Sequence, residues 1–359
     1  MRFEKCFTGF GLLVVAGISA CSNSRSDAPV RPAPTDTIKV ATAPLTLEST
    51  DSAFISEPAA LAVSRTAIYV ADVGSNHVFE FDRSGKLVRR IGQKGRGPGE
   101  FVSTSSLAMV GDTMLAINDP ALKRVSLYEI HRHEFGRIIP LPGLSLGIAA
   151  TGDTLLFGVQ DLTHKTSLAR VVLRDGSMKQ LGPIPASISN NPGVAASFPF
   201  GVAAAATSGY RVGFLGSNVI YHVDENGALI DSVVPAIRHR RGVPTDLAER
   251  LAMKGASAEV EAASTSSLIT MARLPDGRTA VVHMDFTVER TSVTGKAYLS
   301  TISANGKSAC IDLLIPTTEE TRPMFAIHLD TLFAVQNIVQ QKSSAVSTTV
   351  AAFKIPNCL

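Results

Sequence analysis

Apolar residues in this chain come in short runs separated by turns rich in Gly, Asp, Asn and Ser, a spacing that predicts strands throughout. The clearest stretch starts with Pro58 to Val63, which is short and apolar. Thr66-Ala67-Ile68-Tyr69-Val70-Ala71-Asp72 is rich in β-formers and ends in Gly74-Ser75-Asn76. His77 to Asp82 alternates with period two, Ser84-Gly85 turns it back, and Lys86 to Ile91 completes a four-stranded meander. The connector that follows, Ile91 to Phe101, holds four glycines and Pro98, and cannot be helix or sheet interior.

The second-strand pattern recurs at Gly111-Asp112-Thr113-Met114-Leu115-Ala116-Ile117, Gly152-Asp153-Thr154-Leu155-Leu156-Phe157, Asp276 to Val282 and Asp330 to Val335. A weaker copy runs from Ser208 to Phe214. The turn pairs Ser84-Gly85, Asp175-Gly176, Asn226-Gly227 and Asn305-Gly306 recur as well, and they tolerate positive φ. These recurrences predict an all-β fold, a six-bladed β-propeller of four-stranded blades over residues 55–103, 104–142, 143–185, 195–235, 264–316 and 320–357. The last unit has three strands before the chain ends, so the N-terminal strand, from Ile38 to Leu47, is expected to supply its fourth and to close the ring. Two separate β-sandwiches would not explain one turn-and-strand pattern along the whole chain. Between the fourth and fifth units, about 236–263, lies an insertion expected to hold a short helix from Thr245 to Lys254, with Leu247 and Leu251 on one face. It reads as a surface excursion or as a lid over the central channel.

The first unit and its connector together resemble the propellers of the NHL-repeat-like kind: Ile68-Tyr69-Val70-Ala71-Asp72, then a strand ending in Asp82, then Gly85-Lys86 and an outer strand, then the glycine-rich blade-to-blade linker. The resemblance implies the propeller fold. It implies no ligand, because propellers host enzymes, scaffolds and sensors alike.

The N-terminus gives an address. Arg2 and Lys5 precede an apolar stretch from Phe7 to Ala20, too short for a comfortable membrane span, which ends in Ile18-Ser19-Ala20-Cys21. This is the pattern of a bacterial lipoprotein signal peptide, residues 1–20, with Cys21 as the lipidated residue. Residues 21–36 are polar and Pro-rich and are expected to be a disordered tether, leaving 37–359 as the propeller. Ser22, in place of an Asp after the cysteine, fits outer-membrane sorting if the envelope has two membranes. The expected location is the cell envelope, lipid-anchored at the outer membrane, periplasmic side or cell surface.

Composition narrows the function. With 45% apolar residues the 359-residue chain can build a large core, and a formal charge of +3 argues against a nucleic-acid binder. The absence of Trp and a count of five Tyr argue against an aromatic sugar- or base-stacking surface. No phosphate-binding loop, Cys-x-x-Cys, His-x-x-x-His or Gly-x-Ser-x-Gly occurs, so no cofactor, metal or catalytic residue is assigned. His77, His222, His283 and His328 lie in or beside strands of different units and are irregularly spaced for a shared metal. Cys310 and Cys358 are candidates for a disulfide in an oxidising compartment.

Propeller connectivity puts blade-to-blade linkers and second-to-third-strand loops on one rim. Lys94, Arg96, Lys123, Arg124, His164, Lys165, Arg238, Arg240 and Arg241 should share it as a cationic face. The other rim collects Asp82, Asp112, Asp153, Asp175, Asp224, Glu225, Asp276 and Asp330, interleaved with Arg and Lys. The expected function is a monomeric, non-catalytic binding module whose partner is an envelope protein or an anionic polymer. The alternative is a lactonase-like hydrolase or a lyase with a metal in the central channel. It requires carboxylates and histidines from at least three blades to meet on the axis.

Overall fold

The structure is a computed structural model that describes residues 36–50, 54–145, 147–161, 164–184, 201–214, 217–235, 239, 266–289, 292–318, 323–339 and 346–358. Among these residues there is no helix, and Thr35–Leu359 forms one compact unit. The helix expected near 245–254 lies outside the described residues.

The chain enters through β1 (Val40–Thr46). Blade 1 follows with β2 (Pro58–Val63), β3 (Ala67–Asp72), β4 (His77–Asp82) and β5 (Leu87–Ile91), paired in that order. The linker after it contains a two-residue parallel ladder between β6 (Gln93–Lys94) and β7 (Glu100–Phe101), so a stretch expected to be turn alone makes a small sheet of its own. Blade 2 is β8 (Ser106–Val110), β9 (Met114–Asp119), β10 (Arg124–Glu129) and β11 (Glu134–Pro140). Blade 3 is β12 (Ile148–Thr151), β13 (Thr154–Asp161), β14 (Thr166–Val172) and β15 (Met178–Pro183). Blade 4 is β16 (Gly201–Ala205), β17 (Tyr210–Phe214), β18 (Ile220–Val223) and β19 (Leu229–Val233). Blade 5 is β20 (Ser266–Arg273), β21 (Thr279–Glu289), β22 (Ser292–Ile302) and β23 (Leu313–Ile315). Blade 6 is β24 (Met324–His328), β25 (Thr331–Val339) and β26 (Val346–Lys354), and β1 pairs antiparallel with β26 as its outer strand. The N-terminal strand therefore closes the last blade.

The inner strands β2, β8, β12, β16, β20 and β24 each touch the next, and β24 touches β2, which completes the ring. Blades 3 and 4 are also joined by one ladder contact, Gly158 opposite Gly201. A Cβ on Gly158 would lie 2.1 Å from the Gly201 carbonyl carbon, so only glycine permits this approach.

The packing explains why second strands read as continuous apolar runs. Each blade faces a neighbour on both sides, so both faces of a strand are buried. Every residue of Ala67–Asp72 is buried. Ile68 and Val70 join the core shared with blade 6, while Tyr69 and Ala71 join the core shared with blade 2. Among the described residues the apolar core divides into six clusters, one at each seam.

Arginines stitch the seams on the rim of the tight turns. Arg89 donates to the Ile130 carbonyl (3.1 Å), Arg137 to Leu173, Arg170 to Glu225 (3.3 Å), Arg211 to Ser303 (3.0 Å) and Arg278 to Pro356 (2.9 Å). Each reaches from one blade to the next. At the closing seam Arg83 lies over the Phe333 ring at 5.1 Å, and Asn337 donates to the Ser56 carbonyl (2.9 Å).

Candidate functional site

Inner strands with small side chains leave the axis open. Two vestibules occupy it, and Leu61, Leu107, Ile148, Met271 and Phe325 line both, forming a bulky belt between them. The vestibule at the end of the blade-to-blade linkers has a volume of about 440 Å³, and Ser103, Thr104, Ser105, Ser106 and Glu57 face an apolar wall that includes Leu268, Ile269 and Met324. The vestibule at the end of the tight turns is about 500 Å³ and is walled by alanines and larger apolar residues, with Arg273 and His328 as its ionisable lining residues.

Around the linker-end vestibule lies the rim on which the cations were expected. Lys94, Arg96, Lys123, His164 and Lys165 are exposed there. A shared backbone device sets the two turn lysines. Asp72, Asp119 and Asp161 end the second strands of blades 1 to 3, and four residues later Asn76, Lys123 and Lys165 take φ of 57°, 48° and 56°. The aspartate holds the turn: Asp72 accepts from Ser75 N–H (2.8 Å), Asp119 from Leu122 N–H (3.1 Å) and Asp161 from His164 N–H (3.0 Å). Asp72 and Asp119 also accept from the incoming linker, at Glu57 N–H (2.6 Å) and Val102 N–H (2.7 Å). Asp161 bonds the His164 ring as well (2.7 Å), and these bonds bring its carboxyl down to about 2.

Arg124 needs a correction. It was expected to face a partner, yet it is buried, and its guanidinium donates to the carbonyls of Arg96 (2.9 Å), Gly97 (2.6 Å) and Glu100 (2.8 Å). It braces the linker loop from below. From within the loop Glu100 accepts from Gly97 N–H (2.7 Å) and Gln93 Nε2 (3.0 Å), and these bonds lower its pKa. The bracing draws Lys94, Arg96 and Lys123 into one neighbourhood at the seam of blades 1 and 2, with Lys165 one blade on. Arg238, Arg240, Arg241 and Cys21 lie outside the described residues.

The acidic rim is largely occupied by its own turns. Asp82 accepts from Ser84 N–H (2.8 Å) and Lys86 N–H (3.0 Å), Asp175 from Ser177 N–H (2.8 Å) and Asp224 from Asn226 and Ala228 N–H (2.8 and 2.9 Å). Asp276 pairs with Arg278 (2.7 Å), Asp330 with Lys354, and Asp112 with Arg65 (2.5 Å).

The four histidines weighed as channel ligands, His77, His222, His283 and His328, do not converge. His222 Nε2 contacts the Ser208 carbonyl (2.6 Å). His283 is fully buried in blade 5, 3.4 Å from Asp312, with its ring beside Tyr298, on which His239 stacks at 4.3 Å. Among the described histidines only His328 lines an axial vestibule. Among the described residues no three His, Cys, Asp or Glu side chains stand close enough to hold a metal ion, so this set does not fit the metal that the lyase-like alternative requires. Cys310 and Cys358 are bridged with their Cα atoms 5.2 Å apart, which pins the C-terminal tail to blade 5.

Solved structures share the fold at low identity. A putative exported protein from Bacteroides fragilis NCTC 9343 matches with a TM-score of 0.55 and 14% identity, over 90% of this chain and 98% of that one. A member of the DUF4221 family from Bacteroides vulgatus matches with 0.58 and 11%, over 89% and 98%. A catalytically inactive virginiamycin B lyase from Staphylococcus aureus, solved with quinupristin, matches with 0.50 and 11%, over 86% and 98%. No curated protein matches the sequence. The family model for DUF5128, a 6-bladed beta-propeller, matches residues 38–225, which is more than half of the chain and agrees with the six blades built above; the chain belongs to that family.

Proposed function

We propose that the protein is a lipid-anchored binding module of the bacterial envelope that captures an acidic protein segment or anionic polymer on its linker end. The observation that carries this reading is the braced cation set. Lys94 and Arg96 sit on a loop held by Arg124 and Glu100, and Lys123 and Lys165 sit in left-handed turn positions fixed by Asp119 and Asp161. Cations on a rigid frame lose little freedom on binding, and several of one sign raise the local concentration of anionic partners. The leader ending in Cys21 supplies the anchor, and the fold is shared with the putative exported protein from Bacteroides fragilis.

The test combines Lys94→Gln, Lys123→Asn and Lys165→Asn, the last two placing Asn where blade 1 has Asn76. Binding of polyglutamate at low salt should weaken by roughly tenfold, with a shallower salt dependence, and the thermal midpoint should stay within a degree or two. Unchanged binding in a folded variant refutes the docking face. Separately, Cys21→Ser should release the protein from the membrane fraction.

A further inference from the structure

The turn-end vestibule is a formed cavity that partner docking at the linker end does not use. Every inner strand gives it alanine, at Ala62, Ala108, Ala149, Ala204, Ala272 and Ala326, and these small side chains account for its volume of about 500 Å³. Its two ionisable residues are neighbours in the ring: Arg273 ends β20 and His328 ends β24. Arg273 is exposed and makes no ion pair with any described residue. Arg83 adds positive charge near His328, where Arg65 and Asp112 form an ion pair (2.5 Å). Of the other aspartates of this rim, Asp82, Asp175 and Asp224 are held by turn N–H groups and Asp276 and Asp330 by Arg278 and Lys354, while Asp153 is exposed and accepts from the Thr154 hydroxyl (3.3 Å). Arg273, with no ion-pair partner among the described residues, therefore stands at the mouth of an apolar interior.

Leu329 stands at this mouth in an unexpected conformation. It lines the cavity, is 61% exposed and has φ of 56°. Blades 2 and 3 place Gly111 and Gly152 in the same turn, before Asp-Thr, with φ of 57° and 56°. A Cβ on either glycine would meet nothing within 4 Å, so the turn asks for glycine on backbone grounds alone. A leucine held there is strained, and its exposure means that no burial offsets the strain. An apolar group in the vestibule would give that side chain a surface to cover.

We propose that the turn-end vestibule binds a small anionic amphiphile, with its sulfonate, sulfate or carboxylate head on Arg273 and the His328 ring, its short hydrocarbon tail along the alanine-lined walls toward Leu61, Leu107 and Phe325, and Leu329 folded over it. A guanidinium is suited to a bidentate oxyanion, and a tail that leaves water for an apolar cavity supplies most of the affinity. This site is independent of the cations at the linker end.

The experiment is calorimetric titration of the purified full chain with 1-octanesulfonate below its micelle concentration. Saturable one-site binding is expected, with much weaker binding of ethanesulfonate and octyltrimethylammonium. Arg273→Gln should weaken octanesulfonate roughly tenfold and Arg273→Lys less. Leu329→Gly should weaken it severalfold while raising the thermal midpoint, a pairing that simple loss of structure cannot produce. The proposal is overturned if octanesulfonate does not bind, if the cationic or two-carbon probe binds as tightly, or if folded Arg273→Gln binds like the parent.

Discussion

At the linker end the axis opens among Ser103, Thr104, Ser105 and Glu57, ringed by exposed lysines on long connectors. At the turn end it opens among Arg273, His328 and Leu329, ringed by tight acidic turns. Counted by formula, the first rim is basic and the second acidic or mixed. The hydrogen bonds decide which of these charged groups are free to bond a ligand. Arg124 at the linker end is absorbed by three carbonyls, and Asp82, Asp175 and Asp224 at the turn end are absorbed by their own turns. What remains for direct contact is a set of exposed cations around a hydroxyl-lined vestibule at one end, and Arg273 over an apolar vestibule at the other. A count of charges does not say which groups a ligand can bond, because carboxylates that cap turns stay ionised but have their oxygens engaged by the turn N–H groups.

The two ends are also held together by different means, and the largest expected effect tests this. The turn end is closed covalently by Cys310–Cys358, which spans 48 residues and fixes the tail beside Arg278. Replacing both cysteines by alanine should cost roughly 2–4 kcal/mol in urea unfolding, since the open tail enlarges the unfolded ensemble and frees the end of blade 6. An unchanged midpoint would show that the β1–β26 pairing alone closes the ring.

The linker end depends instead on one buried guanidinium. Arg124→Met should cost about 2–3 kcal/mol, because three carbonyls at 2.6–2.9 Å lose a charged donor. Arg124→Lys should restore little of it, as an ammonium on a flexible stem cannot span all three. If either variant unfolds like the parent while polyglutamate binding drops, Arg124 faces a partner after all and the bracing assigned to it is wrong.

The sequence made the ring legible and most of the site illegible, for separate reasons. Blade count and closure follow from local chemistry: Gly-Asp turns before apolar strands, hairpin pairs such as Asn305-Gly306, and a lone N-terminal strand that needed a partner. The seam arginines, Arg89, Arg137, Arg170, Arg211 and Arg278, were hidden because their acceptors lie on the next blade, 36 to 92 residues away. Arg124 was misread because it follows a turn lysine and nothing local says that it points inward. The turn-end mouth did leave a mark: Leu329-Asp330-Thr331 breaks the Gly-Asp-Thr of Gly111 and Gly152. A leucine in place of a turn glycine is a local inconsistency, and such inconsistencies gather at functional sites.

The smallest effect separates the two vestibules by pH. His328 is pushed below the ordinary histidine value mainly by burial, with Arg83 and Arg65 acting in the same direction and Asp112 against them. Its folded pKa therefore lies below that of the unfolded chain, near 6.5. Between the two values the unfolded chain carries more of the proton, so stability falls as pH drops through about 6.5 and levels off below the folded value. His328→Gln should flatten the urea midpoint across that window relative to the parent, which isolates this histidine from the other seven. An anionic head beside the ring favours the imidazolium, so octanesulfonate should bind more tightly as pH falls through the same range, with proton uptake on binding. Sulfonate remains ionised throughout, so the ligand contributes no titration of its own. The linker-end vestibule has Glu57 as its ionisable lining residue and no histidine, so polyglutamate capture at that end should owe nothing to His328. If His328→Gln changes polyglutamate capture and leaves the pH dependence of octanesulfonate binding intact, the two ends have been assigned the wrong way round.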